Sequence, residues 1–113
     1  MSVRTETLLW LAQRLSAMLL GVFVLVHLVT ILYAMHGGLT AQEILSRTQG
    51  NIGWAIFYVL FVLAIAVHAP IGLRNVLTEW LHVRGRAADV LLTTLAVILS
   101  VWGLRAVWAV FAQ

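Results

Sequence analysis

Residues 52–80 read IGWAIFYVLFVLAIAVHAPIGLRNVLTEW. As far as Val67 the run is apolar, and then a histidine, a proline, an arginine, an asparagine and a glutamate follow. The stretch exceeds the ~20 residues that cross ~30 Å of hydrocarbon as a helix. In lipid a helix is the one open-ended structure that satisfies its own backbone. Residues 52–81 are therefore expected to span a membrane, and two further apolar stretches, about 7–35 and 88–112, meet the same criterion. The expected fold is all-α, a three-helix transmembrane bundle forming a single membrane-anchor domain over residues 1–113.

Composition points the same way. Hydrophobic residues make up 63% of the 113 and charged residues 10%, against about 45–50% and about 25% in an ordinary soluble domain. A chain this short cannot hide that much apolar surface, so lipid must cover part of it. Seven arginines, no lysine and four acidic residues give a net charge of +3. These few charges form no dense basic face, which argues against nucleic acid as a partner. The absence of cysteine removes disulfides, thiolate chemistry and iron–sulfur ligation from this chain.

Aromatic residues mark the expected rims: Trp10 and Trp80 at one interface, Tyr33, Trp54 and Trp108 at the other. Arg4, Arg14, Arg74, Arg84 and Arg86 lie near the first rim, and Arg47 and Arg105 lie toward the second. The positive-inside rule then places the N-terminus and the 82–87 loop in the cytoplasm, with the C-terminus opposite. The first apolar run is longer than a signal-peptide core, which favours a retained helix. In the outer loop, Gly37-Gly38 should end the first helix. Thr40 and Glu43 match a capping box with Leu39 and Ile44 as its staple, predicting one or two further helical turns.

At 100° per residue, His68, Gly72, Asn75, Glu79 and His82 fall within about 40° of one line on the second span. A polar stripe on a membrane helix must face protein, water or a bound group. Its glycine leaves room for a close approach, and Pro70 removes one backbone hydrogen bond just past His68. Arg14 lies roughly 6 Å inside Trp10 and Arg74 roughly 9 Å inside Trp80. With Gln13, Ser16, Asn75 and Glu79 they gather polar groups on the cytoplasmic side. Each arginine alone can snorkel to the surface. His68, near mid-span, has two readings: a neutral imidazole held by a neighbouring helix, or a haem ligand with Arg14 or Arg74 receiving the propionates. The stripe, the glycine and the arginines together favour the second.

These residues carry a resemblance. The stretch from His68 to Trp80 is similar to the second-helix motif of the membrane anchors of succinate dehydrogenase, closest to the smaller anchor, which runs His-Ala-x-Ile-Gly, then Val-Leu-Thr, an acidic residue and an aromatic. Gly72-Leu73-Arg74 resembles the Gly-Ile-Arg of the larger anchor, and Arg14-Leu15-Ser16-Ala17 resembles the start of the first helix in these subunits. The resemblance covers nearly the whole chain. It implies a cytochrome b anchor of complex II in a bacterial inner membrane, with a second anchor, an iron–sulfur subunit and a flavoprotein subunit as partners. It implies haem b between two anchors, with His68 as one axial ligand to its iron, and a ubiquinone site. Arg14 and Arg74 would face a propionate or the quinone, and Arg14, Glu79 and Trp80 would form the quinone site. The family's acidic–aromatic pair commonly ends in tyrosine; Trp80 offers only an indole N–H.

The same resemblance gives a subunit that is not catalytic alone and contributes to the quinone site of the whole enzyme. A fumarate reductase anchor, a haem-free anchor and a structural three-span protein are the alternatives. His27 keeps three readings: a buried hydrogen-bonded histidine, a ligand to a second, outer haem, or the partner of His68 across one haem. An expected offset near 8 Å along the bundle makes the last awkward. His36 and His82, near loops, are expected to be solvated.

Overall fold

The computed structural model describes residues 2–112. Four helices follow one another: α1 (Val3–His36), α2 (Ala41–Thr48), α3 (Ile52–Trp80) and α4 (Arg86–Ala112). Among the described residues there is no strand, and α1, α3 and α4 are each long and apolar enough to cross a membrane. Helix α1 begins four residues and α4 two residues before its expected apolar run, because the flanking polar turn continues the backbone ladder, while α3 stops one residue short of residue 81. From Trp10 to Tyr33, twenty-three residues of α1 rise about 34 Å, which matches the hydrocarbon thickness.

Local sequence sets the helix ends. Ser2 Oγ accepts from Thr5 N–H at 3.2 Å, and Asn51 Oδ1 accepts from Trp54 N–H at 3.2 Å. Thr40 Oγ1 accepts from Glu43 N–H at 3.2 Å and opens α2, the two-turn helix that the capping motif predicted. The end of α1 is a Schellman turn: Leu39 N–H bonds Ala34 C=O and Gly38 N–H bonds Met35 C=O, with Gly38 at φ +62°. The left-handed conformation is what requires glycine there.

Helix α3 is the central helix, and α1 and α4 both pack on it. Against α1 it sets an aromatic ladder, with Phe23 5.2 Å from Phe57 and 6.0 Å from Phe61 between ring centroids. Against α4 it sets Val62 on Gly103. Ala64, Ala66 and Leu77 of α3 and Ala88, Leu92 and Val107 of α4 are the buried apolar positions. Gly103 allows the closest approach: a Cβ there would lie 2.5 Å from Val62 Cγ1. Close backbone approach through small residues is how membrane helices gain packing without a hydrophobic drive between them. The other faces of all three spans carry exposed leucines, valines and isoleucines, as a lipid-facing surface would. Helix α3 runs unbroken through Pro70, which is buried.

Candidate functional site

The stripe on α3 faces α1. His68 Nδ1 lies 3.4 Å from Ser16 Oγ. One turn further on, a Cβ at Gly72 would meet Gln13 Nε2 at 3.3 Å. The space beside that glycine is therefore taken by a glutamine of the same chain. Below this level, α1, α3 and the start of α4 enclose an open cleft of about 910 Å³. Helix α1 contributes Glu6, Trp10, Gln13 and Arg14, and α3 contributes Arg74, Asn75 and Glu79. Arg84 and Asp89 close the third side. Three arginines and three carboxylates thus share one cleft at the end of the bundle expected to face the cytoplasm.

Ser16 decides how His68 is held. It is the only buried polar residue among those described, at 5% exposure. Its hydroxyl donates to Gln13 C=O at 3.0 Å, and a serine has one proton to give. Toward His68 it can only accept. In that arrangement the contact takes its donor from Nδ1, and Nε2 is the nitrogen left over. Among the described residues Nε2 has no hydrogen-bond partner. The half-buried imidazole thus has one nitrogen anchored and the other free to meet a bound group.

The family model for the succinate dehydrogenase/fumarate reductase transmembrane subunit matches residues 1–105. The chain belongs to that family. No curated protein and no solved structure matches it significantly.

Nε2 of His68 is the one ring nitrogen in this part of the bundle that could be offered to a haem iron. His27 lies too far from His68 to share one bound group with it. His27 pairs through Nδ1 with Tyr58 OH at 3.2 Å and meets Phe61 edge-to-face. Ser16 and His27 are eleven residues apart on α1, and Tyr58 and His68 ten apart on α3. Both spacings separate the two histidines by about 15–16 Å, twice the offset expected from the sequence. The sequence estimate took Trp10 and Trp80 as level. With Ser16 level with His68, Trp10 is level with residue 74, and Trp80 extends about 9 Å further out.

The same offset relocates two other expected site residues. Trp80 is 77% exposed and lies outside the cleft wall, where Trp10 stands instead. Arg74 sits at the rim and binds Asp89, Nη1 to Oδ1 at 2.6 Å; a propionate or quinone oxygen there would compete with that carboxylate. Arg14 has no carboxylate partner and lies over the Trp10 ring, 5.1 Å from its centroid. Glu79 lines the cleft and is exposed. His82 leaves the stripe: α3 ends at Trp80, and His82 turns to φ +55°. Sequence reasoning missed Glu6, Arg84 and Asp89, which lie outside or at the start of their apolar runs, and Tyr58, whose partner is thirty-one positions away. Gln13 Oε1 is buried in the cleft wall without a hydrogen-bond partner.

Proposed function

We propose that this subunit is the haem b-binding anchor of a succinate:quinone oxidoreductase in a bacterial inner membrane, with its N-terminus cytoplasmic. In this reading it passes electrons from an iron–sulfur subunit to ubiquinone, and a flavoprotein subunit oxidises succinate. The observation that supports the reading is the Ser16–His68 contact, which engages Nδ1 of His68 and leaves Nε2 free. The second axial ligand comes from a second anchor subunit, since His27 lies too far along the bundle. Haem b held by His68 would supply a one-electron redox centre.

The cleft is the quinone site in this reading. Arg14, free of any carboxylate, holds a positive charge against a quinone carbonyl oxygen and favours the negative charge that grows there on reduction. Stacking on Trp10 keeps its guanidinium along the wall. Reduction to the quinol also takes up two protons. Glu79, exposed on the cleft wall, is placed to take a proton from water and deliver it inward. Gln13 and Gly72 form the roof between the cleft and His68.

The test is a reduced-minus-oxidised spectrum of the complex purified through this subunit. A haem b band is expected, and His68→Ala should abolish it while the hydrophilic subunits still co-purify. A wild-type complex without the band, or a band that survives His68→Ala, rejects the assignment and leaves a haem-free anchor. Glu79→Gln should slow quinone reduction and spare succinate oxidation by an artificial dye; equal losses would reject the proton role. A fumarate reductase anchor would show itself as faster fumarate reduction by quinol than succinate oxidation by quinone.

A further inference from the structure

At the opposite end of the bundle lies a second cavity, of about 370 Å³, that the proposed function does not use. The end of α1, the short helix α2 and the start of α3 form its walls. Val29, Ala34, Leu39, Ile44 and Trp54 make it largely apolar. The gap is built into the fold, because α2 is tied at both ends. Its start is fixed by the Schellman turn at Gly38. Its end is fixed to α4, where Thr48 Oγ1 donates to Val110 C=O at 3.0 Å and Gly50 N–H donates to Phe111 C=O at 2.9 Å.

Three polar groups of this cavity are committed: Thr30 donates to Val26 C=O, Thr48 donates to Val110 C=O, and the Tyr58 hydroxyl is paired with His27. The cavity has one cation, Arg47, its guanidinium 5.8 Å from the Tyr33 ring centroid, and the Tyr33 hydroxyl and Trp54 indole N–H stand beside it as neutral donors. No carboxylate lines the cavity, and among the described residues Arg47 has no ion pair. An apolar gap with a single arginine suits a ligand with one anionic group and a hydrocarbon tail. Tyr33 and Trp54 also mark this level as the membrane–water interface, where such a ligand is abundant.

We propose that this cavity is a binding site for an anionic phospholipid, with one acyl chain in the apolar gap beneath α2 and the phosphate on Arg47. The proposal is independent of the haem and quinone assignments. It is tested on the intact complex in detergent by native mass spectrometry after exchange into phosphatidylglycerol or phosphatidylcholine of identical chains. Phosphatidylglycerol should be retained more strongly. Arg47→Gln should weaken that retention about fivefold, the usual effect of one basic residue on anionic lipid, and Arg47→Lys should restore most of it. Ala34→Phe, which fills the gap and leaves the cation, should also expel the lipid. Equal retention of both lipids, no loss with Arg47→Gln, or displacement by a short-chain ubiquinone would overturn the proposal. So would a co-purified subunit that leaves the wild-type cavity without lipid.

Discussion

Replacing Ser16 by alanine isolates the contact on which the haem assignment stands. The change removes one oxygen from a buried position and alters packing little. It deletes the acceptor of the His68 Nδ1–H bond, while the Gln13 carbonyl keeps its place in the α1 ladder. A hydrogen bond from Nδ1–H makes the ligating nitrogen more basic, which favours ferric over ferrous iron. Its loss should therefore raise the haem midpoint potential. A neutral hydrogen bond contributes about 0.5–1.5 kcal/mol net. A one-electron couple shifts 59 mV per tenfold, so the ceiling is about 20–60 mV. At 3.4 Å the bond is long, and a shift near 20 mV is expected. The assay is a potentiometric titration of the haem b band in membranes from wild type, Ser16→Ala and Ser16→Thr, the last keeping a hydroxyl. A midpoint that stays put or falls in Ser16→Ala, or a Ser16→Thr shift as large as that of Ser16→Ala, refutes the reasoning.

Two other positions give independent checks. Gly103→Ala places a Cβ 2.5 Å from Val62 Cγ1 and 2.9 Å from Cγ2, so α3 and α4 must separate, at a cost of about 1–3 kcal/mol in unfolding measured in mixed detergent. Adding Val62→Ala should recover most of that loss, and a double variant no more stable than Gly103→Ala would contradict the packing. His27→Phe should leave the haem b band at full height, since His27 is engaged with Tyr58; a band reduced by half would show that His27 ligates a second haem.

Much of the fold was legible because a bilayer makes severe demands on sequence. Three runs of apolar residues longer than the hydrocarbon thickness leave the backbone no alternative to three helices. The caps were legible where they are local: Gly37-Gly38 ends α1, and Thr40 with Glu43 opens α2, since each rests on bonds within a few residues. The polar stripe followed from helical periodicity alone. It held from His68 to Glu79 and failed at His82, because α3 stops two residues before it.

The level of one helix against another is not local. Aromatic residues at span ends suggested that Trp10 and Trp80 were in register, yet packing of the Phe23, Phe57 and Phe61 rings and the Ser16–His68 contact slide α3 about 9 Å outward relative to that expectation. That slide moves Trp80 out of the cleft and keeps His27 away from His68. The sequence by itself determined a three-span membrane anchor with an inward-facing histidine on its middle helix, because hydropathy and periodicity act along one chain segment at a time. Only the tertiary structure decided which nitrogen of that histidine is engaged and which arginine a carboxylate holds, because both depend on side chains that distant segments bring within a few ångströms.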